Sequence, residues 1–215
     1  MSGPAAVIFD LDGTLIDSSE GIVNSVVETI DIMGLETLSR EFIESCIGPP
    51  IGDSIGSKMG YSEETIRRFY DVFRPIYKDK HLMECEVFDG IPAMLEELQG
   101  RFRLGIATNK RIDYTLTLLD NLGLKQYFGS ICGGDQYNRL KKPDILNNCM
   151  KELGVDPSGT VMVGDTSSDL NAAVQCDTDF IGVGFGFGFR RPSDIPEKYH
   201  FAATVDDLRR IILDG

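Results

Sequence analysis

No stretch of this 215-residue chain approaches the run of about 18 apolar residues that a membrane-crossing helix requires. The opening MSGPAAVIFD has no basic segment ahead of a long apolar run, so no secretory leader is expected. Cysteine is sparse. Cys46, Cys85, Cys132, Cys149 and Cys176 are scattered, odd in number and never spaced as CxxC, which argues against a disulfide scaffold or a zinc site. Reduced thiols and a cytoplasmic setting are expected instead. Positive charge is in deficit: 21 Lys and Arg face 34 Asp and Glu, for a net charge of -13. A chain so acidic is not drawn non-specifically to nucleic acid or to an anionic membrane, and neither is expected as a partner. A small anionic substrate would need a locally positive site, built from a few Lys or Arg and a bound cation. Repeats and low-complexity tails are also missing.

What is present is the grammar of an ordered α/β protein. Ala5 to Phe9 is a short apolar run that stops abruptly at Asp10-Leu11-Asp12-Gly13-Thr14, as a parallel strand buried on both faces would. Residues 104–107 run in the same way into Thr108-Asn109-Lys110, and 160–163 into Gly164-Asp165-Thr166. Residues 180–183 and, more weakly, 130–132 supply further strands. Helical stripes lie between them: 91, 94, 95 and 98; Ile112, Leu116, Leu119 and Leu122; Ile145, Cys149, Met150 and Leu153. Strands alternating with helices imply βαβ units and a mostly parallel sheet. Thr204 to Asp207 reads as a capping box opening a last helix through Ile212.

Residues 17–85 break the alternation. Ile22, Val23, Val26, Val27, Ile30 and Met33 form one helical stripe, Phe42, Ile43 and Cys46 begin another, and Ile66, Phe69, Phe73 and Tyr77 belong to a third. Ser39, Gly48-Pro49-Pro50 and Tyr61-Ser62 punctuate them as starts and turns. The expected organisation is a core of residues 1–16 and 86–215 with a helical cap of residues 17–85 inserted after the first strand. The Gly/Phe segment 184–189 reads as a loop whose phenylalanines pack beneath it or line an entrance.

Ligands of an open α/β sheet bind beyond the carboxyl ends of its strands. Asp10, Asp12, Thr108, Asn109 and Asp165 each follow a strand directly, so distant segments converge on one edge. Crowded acids repel one another unless a cation joins them. With Asp169 added, Asp10, Asp12 and Asp165 make four carboxylates suited to a hard cation such as Mg²⁺. Taken locally, Asp165 is also a plain helix cap, and Thr108-Asn109 a strand-end turn. Lys141-Lys142-Pro143 offers an ammonium just before a helix that proline can initiate. Phosphoryl transfer needs an oxygen nucleophile, charge screening and a proton for the departing oxygen. Asp10, flush with the buried strand, suits the first role, and Asp12 the acid and base work.

These segments together, Asp10-Leu11-Asp12-Gly13-Thr14-Leu15, Thr108-Asn109, Lys142-Pro143 and Gly164-Asp165 with Asp169, resemble the haloacid dehalogenase-like hydrolase superfamily. The resemblance is especially to phosphoglycolate-phosphatase-like members with a helical cap, and runs from about residue 6 to residue 212. The resemblance implies a Rossmann-like, mostly parallel sheet with helices on both faces and an inserted α-helical cap of the C1 type. It implies Asp10 as nucleophile and metal ligand, and Asp12 as acid and base whose backbone carbonyl also reaches the metal. Thr108, Asn109 and Lys142, rather than Lys141, would hold the phosphoryl group, and Asp165 and Asp169 would complete a Mg²⁺ site. Residues 17–85 would move as a lid.

Asp12 favours phosphoryl chemistry over dehalogenation, and Ser18-Ser19-Glu20-Gly21 lacks the cap histidine of the related mutases. The expected function is Mg²⁺-dependent hydrolysis of a small phosphorylated metabolite such as 2-phosphoglycolate by a monomer or weak homodimer. The alternatives are a 5'-nucleotidase or pyrophosphatase of the same fold, or a phosphate-responsive binding protein without turnover.

Overall fold

A computed structural model describes residues 4–214; Met1, Ser2, Gly3 and Gly215 of the expected core lie outside the described residues. Strand β1 (Ala6–Phe9) is central in a six-stranded sheet of order β5-β4-β1-β6-β7-β8. Its partners are β4 (Arg103–Arg111), β5 (Ser130–Gly134), β6 (Thr160–Gly164), β7 (Asp179–Val183) and β8 (His200–Ala202), and every pairing is parallel. Alternate side chains of β1 feed opposite cores, which is why its sequence is continuously apolar. Val7 and Phe9 join Leu104, Ile106, Val161 and Val163 on one face. Ile8 joins Ala107, Met162 and Phe180 on the other.

Helices α5 (Ile91–Leu98), α6 (Ile112–Asn121) and α9 (Val205–Asp214) cover the first face. Helices α7 (Lys142–Leu153) and α8 (Ser167–Gln175) cover the second. The expected capping box at α9 is present: the Thr204 amide donates to Asp207 Oδ2 and the Asp207 amide to Thr204 Oγ1, each at 3.1 Å. Three details differ from the sequence reading. Strand β4 continues past Ala107 to Arg111 through an irregularity in its pairing with β5. The edge strand β8 is too short to carry a periodic signal of its own. The buried face of α6 is Tyr114, Thr115, Leu118 and Leu119, while Leu116 is exposed.

Between β1 and the rest of the sheet the chain builds α1 (Ser19–Met33), α2 (Arg40–Glu44), α3 (Ile51–Met59) and α4 (Glu63–Ile76). Ser39 and Ser62 cap α2 and α4, accepting from the Phe42 and Thr65 amides at 3.2 and 3.1 Å. Helix α3 was hidden in the sequence by its glycines, and Val27 of the α1 stripe faces solvent. Pro75 removes an amide donor near the end of α4, and a π-helical turn, Tyr77–His81, follows. Phe69, Phe73 and Tyr77 stack face to face at 5.6 and 5.5 Å, forming an aromatic column. Where the chain leaves for these helices and returns from them, β2 (Ile16–Asp17) and β3 (Glu86–Val87) pair antiparallel. No described helix is long and apolar enough to cross a membrane.

Helix α1 meets the π-helical turn at Gly21, where an added Cβ would stand 2.2 Å from the His81 carbonyl oxygen. Alanine within a helix normally gains about 1 kcal/mol over glycine. Overlap with fixed backbone costs about 1–3 kcal/mol and wins. Gly21→Ala is therefore expected to lower the urea unfolding midpoint; a raised midpoint would contradict this packing.

Candidate active site

Because the sheet is parallel, the ends of β1, β4 and β6 open onto one edge, and each delivers polar residues there. The Asp10 amide donates to Val163 O at 2.9 Å, continuing the β1–β6 ladder by one residue and fixing the Asp10 backbone. Its carboxylate accepts from the Leu11 amide at 2.7 Å. Ligand oxygens of Asp10, Asp165 and Asp169 all lie within 4.8 Å of one another. Lys142, at the start of α7, reaches into this group, with Nζ 2.8 Å from Asp10 Oδ1 and 2.7 Å from Asp169 Oδ1. All four side chains are at most 3% exposed or fully buried in residues no more than 4% exposed. Lys141 is exposed at the helix cap.

Three carboxylates face one ammonium in this dry pocket. Burial pushes the Asp10 carboxyl up to about 7; Lys142 opposes that, and Asp169 and Asp12 reinforce it. Asp165 is pushed well up by burial, then by Asp169 and Asp10, against the pull of the Phe187 amide and Lys142. Lys142 is moved the other way: burial disfavours its charge, but Asp10 and Asp169 outweigh burial and raise it. The contacts of Lys142 are close by distance yet poorly aligned, leaving Nζ and Asp169 Oδ1 buried without a well-formed hydrogen bond. Excess buried negative charge and an unsatisfied carboxylate oxygen fit a hard divalent cation bound by oxygen ligands.

The Asp12 carboxylate is not in this group of three, which corrects the expectation of four converging carboxylates. It turns toward the inserted helices, accepting from Ser18 Oγ at 2.6 Å and from Lys110 Nζ at 2.9 and 3.0 Å. Lys110 Nζ also donates to the Tyr77 hydroxyl at 2.7 Å. Burial raises the Tyr77 phenol to about 12 despite Lys110 beside it. Thr108 is buried, and its hydroxyl accepts from the Lys110 amide at 3.2 Å. Asn109 spends its amide donors elsewhere than on a free anion site. They reach Gly48 O among the inserted helices and Ser168 Oγ on α8, each at 3.0 Å.

Two loops hold the acids in place. At Asp169, Oδ2 accepts from the Thr166 amide and hydroxyl at 3.0 and 2.8 Å, so that Oδ1 is left for Lys142. At Asp165, Oδ2 accepts from the Phe187 amide at 2.7 Å, and the backbone oxygen accepts from the Phe189 amide at 2.8 Å. The Gly/Phe segment is thus a strap over Asp165. A Cβ at Gly186 would stand 2.5 Å from Asp165 Oδ2 and 2.2 Å from Gly13 O. Gly13 has φ 78° and a Cβ there would stand 2.3 Å from the same Asp165 Oδ2, so glycine is needed there for conformation and space alike. Phe185 packs edge-on against Phe88, and Phe189 against Phe180. From sequence, Ser18, Tyr77, Lys110 and Phe187 fall in their segments, but none of them is assigned to the site. Only Lys110 carried a local signal, by following Thr108-Asn109 at a strand end.

The family model of haloacid dehalogenase-like hydrolases matches residues 7–183. A 5'-nucleotidase of Pseudomonas aeruginosa is 30% identical over 208 residues, spanning 96% of this chain and 94% of its own. A phosphoglycolate phosphatase of Pseudomonas syringae pv. tomato is 32% identical over 219 residues, covering 97% of this chain and 79% of its own. The solved structure of Mycobacterium tuberculosis protein tyrosine kinase A superposes with a TM-score of 0.84 at 30% identity, covering 99% of each chain.

Because the strap touches Asp165 through backbone, crowding it displaces a carboxylate of the three. Gly186→Ala is expected to raise the Mg²⁺ concentration needed for half-maximal thermal stabilisation by about tenfold or more. Melting curves across a Mg²⁺ titration measure it, and an unshifted titration in a folded variant would refute the role given to the strap.

Proposed function

We propose that this phosphatase, a chain that belongs to the haloacid dehalogenase-like hydrolase family, hydrolyses phosphomonoesters through an aspartyl-phosphate formed on Asp10. The observation that carries this reading is the convergence of Asp10, Asp165, Asp169 and Lys142 at the strand ends. Asp10 Oδ attacks phosphorus and the ester oxygen departs. Asp12 gives that oxygen a proton and later takes one from the water that cleaves the aspartyl-phosphate. Lys142 holds a phosphoryl oxygen and favours the anionic form of Asp10 against the effect of burial, while the Thr108 hydroxyl donates to a second oxygen. Asn109 contributes by fixing the loop at Gly48 and Ser168, and through its own amide if that contact opens. Asp10, Asp165 and Asp169, with the Asp12 backbone, are the proposed holders of Mg²⁺, which supplies neutralisation of the charge on the transferring phosphoryl group.

Residues 17–85 are proposed to act as the lid. The contacts of Asn109 with Gly48 and of Lys110 with Tyr77 bridge them to the sheet edge, as closure requires. The substrate is proposed to be a small phosphorylated metabolite. Relatives named phosphoglycolate phosphatase and 5'-nucleotidase support 2-phosphoglycolate and nucleoside monophosphates as the compounds to compare first. Free thiols at Cys46, Cys85, Cys132, Cys149 and Cys176 support a reducing, cytoplasmic setting.

Purified protein is expected to release phosphate from p-nitrophenyl phosphate with Mg²⁺ and to stop when the cation is chelated. Asp10→Asn is expected to lower turnover by at least about a thousandfold. Turnover that survives chelation or Asp10→Asn would sink the mechanism, and phosphate binding without turnover would identify a binding protein instead.

A further inference from the structure

Beside Asp12 lies a cavity of about 90 Å³ between the inserted helices and the strand ends. Its charge balance is opposite to that of the chain. Lys110, Arg74 and Arg111 line it with a single acid, Asp12, in a protein of net charge -13. The two arginines have partners other than Asp12. Arg111 is paired with Asp113 at 2.7 Å and lies on the Tyr114 ring, and Arg74 lies over the Tyr70 ring at 4.7 Å. Lys110 is different: its side chain is 5% exposed and its ammonium sits at the Asp12 carboxylate.

We propose that Lys110, held by Tyr77, determines specificity by binding a second anionic group on the leaving portion of the substrate. This rests on the assignment of Asp12 as the residue that addresses the ester oxygen. Any leaving oxygen within hydrogen-bond reach of Asp12 lies within about two hydrogen-bond lengths of Lys110 Nζ, which is 2.9 and 3.0 Å from the same carboxylate, so groups attached to that oxygen can reach the ammonium. Much of the remaining cavity wall is apolar, with Ile22, Ile47 and Phe73 facing the space. The ammonium is therefore the buried cation that a leaving portion meets beside Asp12. An anion there shares or replaces Asp12 as its partner, so the buried positive charge keeps a carboxylate-like neighbour throughout. A neutral leaving portion offers no such exchange and leaves Lys110 on Asp12. Tyr77 fixes the ammonium from the lid side, and its ring ends the Phe69–Phe73–Tyr77 column. The reading of the second anion is thereby tied to the position of the inserted helices. A Lys110 that only orients Asp12 would affect all substrates equally, which separates the two roles.

The test compares kcat/KM for 2-phosphoglycolate and for 2-hydroxyethyl phosphate, in which a neutral hydroxymethyl group replaces the carboxylate. The wild-type protein with Mg²⁺ is expected to favour the carboxylate by roughly 30-fold or more, the loss typical of removing one partner of a buried charge pair. Lys110→Met, checked for folding by circular dichroism, is expected to collapse that ratio to within a few-fold, chiefly through KM for 2-phosphoglycolate. Lys110→Arg is expected to restore part of it. Pyrophosphate, whose leaving portion is itself an anion, tells whether a phosphoryl group serves as well as a carboxylate. A wild-type ratio near one for both anionic compounds overturns the proposal without any variant. So does a Lys110→Met protein that loses activity equally on charged and neutral substrates. If Lys110→Met does not fold, Tyr77→Phe carries the test: KM for the anionic substrate must rise more than KM for the neutral one. Failure of the underlying mechanism looks different, since Asp10→Asn would then retain turnover on every compound.

Discussion

The contact of Lys142 with two buried carboxylates is the constraint on which the rest of the site depends. Asp10, Asp165 and Asp169 occupy a dry pocket at the ends of two neighbouring strands, and one ammonium is their only full positive charge within hydrogen-bonding distance among the described residues. Carboxylates so placed repel one another by several kcal/mol unless the site binds cations or protons. The surrounding structure supplies what Lys142 cannot. Thr166 clamps one oxygen of Asp169, the strap amides clamp Asp165, and the Leu11 amide accompanies Asp10. Each clamp comes from backbone or from a short side chain, the arrangement that loses least entropy when a site must be rigid.

A second lysine organises the opposite side. Lys110 joins the Asp12 carboxylate, near the end of β1, to Tyr77 in the π-helical turn, while Asn109 joins the same edge to Gly48. The sheet edge and the inserted helices are therefore coupled by polar contacts made within the site, in addition to apolar packing such as that of Tyr77 edge-on against Tyr114. Polar contacts of this kind exchange partners more readily than interdigitated side chains, which need space to separate. That is the property expected of a lid. The aromatic column of Phe69, Phe73 and Tyr77 gives the inserted helices internal stiffness.

The division of labour between the two lysines follows from their backbones. Lys142 begins a helix that packs on the sheet, so its ammonium is delivered to a fixed place. Lys110 lies where β4 leaves regular pairing with β5, and there the chain can meet a group on another segment. One is held among the acids, and the other is the lysine proposed to meet the leaving portion of the substrate.

The parallel sheet and the acids at its edge were legible in the sequence because apolar runs such as Ala6–Phe9 stop directly at charged residues, a pattern set by burial on both faces. Asp10 and Asp165 are found together for that reason, and Asp169 and Lys142 join them from helices α8 and α7. Periodicity failed at α6, where Leu116 matched a helical spacing but faces solvent, and at α3, where glycines masked a helix. The direction of Asp12, the lock between Lys110 and Tyr77 and the strap over Asp165 were not legible at all. Each joins residues far apart in the chain through a hydrogen bond or a close backbone approach. Local sequence determines which residues end a strand or begin a helix; which atom of a flexible side chain meets which distant partner is decided only when the tertiary fold excludes water and leaves one set of partners within reach.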